Sequence, residues 1–273
     1  PGAQLSDEVG VIVLRTAEHI VVDLDTGEER RDPGRVLATD RQNVYAAVDD
    51  RIVARDLHTG ATTWDLDVAA SAPSAGEIPV WRHGVVHGTT LVVTSAEGDV
   101  IGIDTEGGAE VWRHPLSADG AELGRAVAVA ASGDRVVVVG ETGDLGVEPR
   151  DGGISWRVAR DRLVLDPELD RDRIAEVRGQ PVWIGQQGML IAGWAGVAVR
   201  AVDTADGSET AEVVDFPPSE SGWSTGVFAG GLAVLGAGSV RAFSTDSLAP
   251  LWTLDAPGAT AMVPIDRGVA LLG

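Results

Sequence analysis

VYAAVDDRIVARDLHTGATTW, from Val44 to Trp64, holds two short β-branched runs, a tight turn closed by Gly, and a Trp just beyond the turn. The pattern returns in LVVTSAEGDVIGIDTEGGAEVW (Leu91 to Trp112) and in VVVVGETGDLGVEPRDGGISW (Val136 to Trp156). Turns of this kind fall at Thr26-Gly27, Thr59-Gly60, Glu106-Gly107, Asp151-Gly152, Asp206-Gly207 and Asp246-Ser247, at intervals of roughly 33 to 55 residues. Alternating apolar runs joined by residues that tolerate positive φ are a hairpin signal. The runs are short and β-branched, which disfavours a helical repeat. Repeats of about 40 to 50 residues with four short strands each predict an all-β fold, a single β-propeller domain over residues 1–273.

The N-terminal part offers strands near Val11–Arg15, Ile20–Leu24 and Glu28–Arg30 and lacks an innermost one. Val269–Leu272 is placed to supply it, which would close six four-stranded blades by pairing N- and C-terminal strands. Seven blades is the alternative, with Ala261–Pro264 as a further strand.

Trp64, Trp112, Trp156 and Trp252 repeat in phase with the turns and read as packing residues between blades. Each buries roughly 200 Å², an upper bound of about 5 kcal/mol. Trp81, Trp183, Trp194 and Trp223 are out of phase. A four-stranded meander places all blade connections on one face, so Asp67–Pro79, Arg113–Gly124, Ala159–Gln180 and Asp215–Gly222 crowd together there. The third connection carries Asp166, Pro167 and Gly179 as cap, first-turn and stop signals of a short helix. Trp81, Arg82, Trp183 and Trp223 lie at or beside these connections, and Trp and Arg dominate interface energetics. These four are the expected partner-binding residues.

Charge narrows the partners. Asp and Glu number 42 against 21 basic residues, all Arg, for a net charge of −21. Such a surface repels nucleic-acid phosphates and anionic lipid. It reads as a solubilising coat, with attraction of a basic protein as the second reading. No apolar run reaches about 18 residues, so nothing in the sequence reads as a bilayer-spanning helix. PGAQLSDE at the start has no secretory leader pattern. The absence of Cys removes disulfides, thiolate nucleophiles and Cys-ligated metals.

Three motifs come close to chemistry. Gly222-Trp223-Ser224-Thr225-Gly226 matches G-x-S-x-G, but an apolar strand follows where a nucleophile elbow needs a helix. His83 and His87 flank Gly84-Val85-Val86, which favours extended chain and places them about 13 Å apart. Asp23–Glu28 fails calcium-loop spacing and reads as a hairpin turn. His19, His58 and His114 sit beside turns and read as surface residues. No catalytic set, cofactor or metal site is expected.

The repeat, best seen in Val44–Trp64, resembles those of the PQQ-like propellers, which include quinoprotein alcohol dehydrogenases and BamB-type assembly lipoproteins. The resemblance spans nearly the whole chain, one turn and Trp per blade, except in blades one and five, which lack the Trp. The quinoprotein enzymes set an adjacent cysteine pair against the quinone, and this chain has no Cys. The resemblance therefore implies the non-enzymatic branch: an extracytoplasmic or cell-surface interaction or sensing module that holds another protein, compatible with an anchor upstream of residue 1. A ligand-binding or quinoprotein-like central channel, and a structural domain of a larger membrane protein, are the alternatives.

Overall fold

The computed structural model describes residues 2–5, 9–13, 18–23, 26–68, 81–95, 99–115, 126–132, 134–140, 143–159, 182–184, 189–194, 198–203, 205–213, 224–228, 231–236, 238–244, 247, 249–259, 261–265 and 268–272. Among these residues there are 26 strands and no helix. The segment expected to form a helix at Asp166–Gly179 lies outside them, as do most residues of the four long connections. The chain divides into two compact units, Pro1–Val129 with Glu148–Gly153, and Ala130–Val147 with Ile154–Gly273.

The first unit opens with a four-stranded antiparallel meander of β1 (Gly2–Leu5), β2 (Val9–Val13), β3 (Glu18–Asp23) and β4 (Glu29–Pro33). A second sheet follows, of β5 (Arg35–Thr39), β6 (Asn43–Val48), β7 (Arg51–Asp56) and β8 (Thr62–Asp67). The third comprises β9 (Trp81–His87), β10 (Thr90–Ser95), β11 (Asp99–Asp104) and β12 (Glu110–Pro115). A fourth sheet, most of it assigned to the second unit, has β13 (Ala126–Ser132), β14 (Arg135–Gly140), β15 (Gly143–Val147) and β16 (Ile154–Ala159).

The second unit continues with β17 (Val182–Ile184), β18 (Met189–Trp194), β19 (Ala198–Asp203) and β20 (Glu209–Val213). A sixth sheet holds β21 (Ser224–Phe228), β22 (Gly231–Gly236), β23 (Ser239–Ser244) and β24 (Pro250–Asp255). Last comes a two-stranded sheet of β25 (Ala261–Ile265) and β26 (Gly268–Leu272).

The apolar runs are continuous because the middle strands are covered on both faces. All six residues of β10 are buried, as are Val136 to Gly140 in β14. A strand with one wet face would alternate instead. The fourth strands are the exposed ones, and in β8 Trp64 is the single buried residue. First strands lie beside first strands, β5 against β9 and β21 against β25, which stacks successive sheets face to face. One core cluster joins Leu37, Tyr45, Ile52 and Trp64 of the second sheet to Trp81, Leu91, Val93 and Ile101 of the third.

The repeated turn between third and fourth strands has a fixed chemistry. The N–H of Gly27, Gly60, Gly108, Gly152 and Gly207 donates to the carbonyl four residues earlier, of Asp23, Asp56, Asp104, Glu148 and Asp203, at 2.8–2.9 Å. Each of these glycines has φ between +69° and +77°. In the third sheet this residue is Gly108, not Gly107, one residue beyond the position expected from the sequence. The carboxylate that opens the turn binds N–H groups inside it: Asp23 takes Thr26, Asp56 takes His58 and Thr59, Asp104 takes Gly107 and Asp203 takes Ala205. These are Asx-type turns, for which a short side-chain acceptor is required. The expected hairpin reading of Asp23–Glu28 is therefore borne out.

Among the described residues no ladder joins the N- and C-terminal strands. Val269–Leu272 belongs to β26, which pairs with β25 through Ala261↔Leu272 to Ile265↔Gly268. The N-terminal sheet draws its own first strand from Gly2–Leu5, paired with Val9–Val13. A hairpin connection of two residues makes β25 the nearest partner for β26. Gly2–Leu5 escaped notice because it has little apolar patterning.

Gly108→Val should destabilise far more than Gly27→Ala. A Cβ on Gly108 would stand 2.6 Å from the Trp64 ring, whereas a Cβ on Gly27 meets nothing within 4 Å. The expected costs are about 2–4 kcal/mol against about 1 kcal/mol, from left-handed backbone strain with and without overpacking. Urea unfolding midpoints of the two variants check this.

Candidate functional site

The glycine turns do more than reverse the chain, because the fourth strand of the preceding sheet is anchored to them. Trp64 Nε1 donates to the Thr105 carbonyl at 2.8 Å, and its ring lies against Gly108. Trp112 Nε1 donates to the Pro149 carbonyl at 2.7 Å, and its ring lies against Gly152. Trp156 lies against Gly207 in the same way. On its other side each ring covers a small residue of its own sheet, Ala54, Gly102 or Gly146, which are its register partners. A side chain at Gly102 or Gly146 would occupy the space of the indole, with contacts of 2.2 and 2.3 Å. Trp64, Trp112 and Trp156 thus pack between sheets, as their period predicts, whereas Trp252 is exposed. The turn Glu148–Gly153 belongs with the first unit because Trp112 and His114 are hydrogen-bonded to it, the latter through Nε2–H to the Gly152 carbonyl at 2.5 Å.

In the first sheet Arg30 takes the place of the Trp, a substitution not recognised in the sequence. It pairs with Val21 as Trp64 pairs with Ala54. Its guanidinium donates to the carbonyls of His58 and Leu57 at 2.9 and 3.2 Å, and lies over Gly60. Sheets two to six carry a register shift just after the turn, and the first sheet carries none. Arg30 therefore follows its Gly at a spacing one residue shorter, which hides the equivalence.

His19 corrects its surface reading: it is fully buried. Its Nδ1–H donates to the Gly34 carbonyl at 3.1 Å, and Nε2 lies 3.9 Å from the Asp32 carboxylate that Arg30 Nε holds at 2.9 Å. Burial pulls the His19 pKa below its ordinary value, against the opposing pull of the Gly34 carbonyl and Asp32.

Around the connection end of the second sheet, Asp50, Asp65 and Asp67 act on Arg51, with Asp49 beside Asp50 in the β6–β7 turn. Arg51 bonds to Asp65, and that bond with the neighbouring carboxylates holds its pKa above the usual arginine value. The third sheet repeats the arrangement around Arg113, which binds Glu110 through two nitrogens at 2.9 and 2.7 Å and Asp99 at 3.1 Å. Asp99 lies at the connection end, opposite Pro115, whereas Glu110 directly follows the glycine turn at the other end of β12; with Asp49, Asp50 and Asp67 the connection end is acidic.

Of the expected partner-binding residues, Trp81 is the one whose side chain is described. Trp81 is 1% exposed, inside the core shared by the second and third sheets. Arg82 and Trp183 are in β9 and β17, with side chains outside the described residues, and Trp223 lies outside them entirely. His83 and His87 are on one extended strand opposite Thr94 and Thr90, as expected. Ser224 opens β21, so a strand continues from the G-x-S-x-G match.

Stacked four-stranded antiparallel meanders locked by a strand-four Trp define a PQQ-type β-propeller repeat protein. The family model described as outer membrane protein assembly factor BamB matches residues 48–221, and the chain belongs to that family. The structure is similar to the crystal structure of BamB from Moraxella catarrhalis, with TM-score 0.62 and 18% identity over 97% of this chain and 79% of that one. It is also similar to the computationally designed Ika8 protein, with TM-score 0.71 and 14% identity over 99% of this chain and 79% of that one. At these identities the likeness is one of fold. No curated protein matches the chain.

The buried His19 makes stability depend on pH. Its folded pKa lies below the unfolded value of 6.5, so the unfolded chain binds the extra proton and stability falls as pH drops below about 6.5. Thermal unfolding between pH 7.5 and 5.5 should show a falling midpoint, and His19→Gln should flatten that slope.

Proposed function

We propose that the chain is a non-catalytic interaction module that holds another protein outside the cytoplasmic membrane. The observation that carries this reading is membership in a family whose model is described as an outer membrane protein assembly factor. Repeats that stack sheet on sheet leave their connections at the sheet ends, where binding segments can vary without disturbing the packing. The described part of that end is acidic in the second and third sheets, through Asp50, Asp65 and Asp67 around Arg51, with Asp49 in the same turn, and through Asp99 beside Arg113. Complementarity favours a partner with a basic surface, and the charges would act mainly on the rate of encounter. Trp81 contributes to the core, so Arg82, Trp183 and Trp223 are the remaining side chains proposed to meet the partner.

Such a partner, captured on the immobilised chain and identified by mass, should be released progressively between 50 and 500 mM salt, within a range where screening lengths fall several-fold. Asp49→Asn with Asp50→Asn should slow association about three- to tenfold in surface-binding kinetics. The triple change Arg82→Ala, Trp183→Ala, Trp223→Ala should speed dissociation. Capture of the same protein with unchanged kinetics by both variants would overturn the reading.

A further inference from the structure

The seam between the first and second sheets is held differently from the one that follows it. Among the described residues its apolar cluster is Val21 of β3 against Val36, Val44 and Leu57. The cluster between the second and third sheets is larger and includes Tyr45, Trp64 and Trp81. The first seam relies on polar bonds instead. Arg30 of β4 reaches the His58 and Leu57 carbonyls, and Arg55 of β7 donates through Nη1 to the Pro33 carbonyl at 2.9 Å. Each of these bonds crosses from one sheet to the other.

The fully buried His19 lies beside this polar lock. A carbonyl can only accept, so the Nδ1 that meets the Gly34 carbonyl carries the proton of the neutral ring. Nε2 is then a bare lone pair, and it has no hydrogen-bond partner. An added proton goes to that nitrogen. Asp32 Oδ2 lies 3.9 Å from it, too far for a hydrogen bond, and the same oxygen accepts from Arg30 Nε at 2.9 Å. Among the described residues the charged groups that act on His19 are Asp32 and Arg30 of β4 and Arg55 of β7; its register partner in β2, Val13, has no charge. Protonation therefore places a third positive charge around one carboxylate.

We propose that His19 is an acid-operated latch: protonated at Nε2, it draws the Asp32 carboxylate away from Arg30, and the first sheet undocks from the second. The Arg30 side chain is 29% exposed and that of Asp32 11%, so Arg30 is the group that can leave for water. Closing the gap to a charge-assisted bond of about 2.8 Å takes a shift of about 1 Å. Without Asp32 to fix it, the guanidinium loses its place over Gly60 and its bonds to the two turn carbonyls. A sheet whose apolar face has lost its cover frays, and Val36, Val44 and Leu57 lose theirs in turn. The docked state takes the proton less readily than the open one, so opening gains as pH falls below about 6.5 and the seam stays closed above it. The latch does not depend on the binding reading above.

The test is amide hydrogen exchange on the 273-residue chain at pH 7.5 and 5.5, with each rate corrected for its intrinsic pH dependence. The amides of β3 and β4 should exchange as one group and lose about tenfold in protection at pH 5.5, the factor set by a group that titrates at 6.5 when exposed. Those of β10 and β11 should stay at least about tenfold better protected than β3 and β4, because the third sheet remains folded. His19→Gln can still donate to the Gly34 carbonyl but takes no proton, and should make protection of β3 and β4 equal at the two pH values. Arg30→Met should also make it equal, at a lower level, since His19 can then pair with Asp32 without releasing a lock. Equal protection of the first and third sheets would mean that the chain opens as a whole. A pH effect that survives Arg30→Met would mean that burial of His19 alone drives it, and one that survives His19→Gln would assign it to another group. Each of these results would overturn the proposal, as would protection of β3 and β4 that does not change with pH. The comparison between sheets in the unmodified chain decides the matter even where a variant fails to fold.

Discussion

The contact between a strand-four side chain and the glycine turn of the following sheet is the constraint on which the described architecture rests. A four-stranded meander is marginal alone, and its two apolar faces need covers. Face-to-face stacking provides them but leaves sheets free to slide, because valine packed on valine has no direction. The indole removes that freedom. Its ring fits only above a residue as small as Ala54, Gly102 or Gly146, and its N–H reaches only one carbonyl of the next turn. The turn must in turn offer a residue without Cβ, which Gly108, Gly152 and Gly207 supply. Three separate requirements meet at one side chain, so each seam that carries the indole has one register.

Arg30 shows that the requirement is geometric rather than aromatic. A guanidinium is planar, lies flat on Gly60, and directs two N–H groups at the His58 and Leu57 carbonyls where an indole directs one. It also brings a charge, and the neighbouring Asp32 answers it at 2.9 Å. That carboxylate is largely buried, and beside it lies the buried His19. Replacing an apolar lock with a polar one thus drew two further polar groups into the first seam, each needing its own partner.

Periodicity made the fold legible, and its breaks hid the rest. The turns and in-phase Trp residues could be read because each recurs where the same contact recurs. Arg30 was missed because the first sheet lacks the register shift of the others, so its spacing from the turn differs by one residue. Gly108 was misplaced by one because Gly107 and Gly108 are adjacent, and only backbone dihedrals say which is left-handed. Trp81 was read as a surface anchor since it falls out of phase and next to a connection. It opens the first strand of its sheet, however, within the core cluster shared with the second sheet, and position along the chain does not reveal that depth. The partner of β26 was not legible either, since alternation fixes which residues share a face but not which edge a terminal strand will meet.

The same architecture changes the meaning of the chain's acidity. Asp23, Asp56, Asp104 and Asp203 are acceptors for turn N–H groups, and those bonds hold the Asp56 carboxyl below its usual range, chiefly through Thr59. Asp206 is held down likewise by Ser208. These carboxylates recur because the turn recurs, so that part of the net charge belongs to the fold and carries no information about partners. Asp49, Asp50 and Asp67 are different: they sit at the connection end, and no glycine turn there calls for them. Charge that the turns do not call for is therefore found at that end, whereas Asp23, Asp56, Asp104 and Asp203 are tied to their own backbone on the turn side.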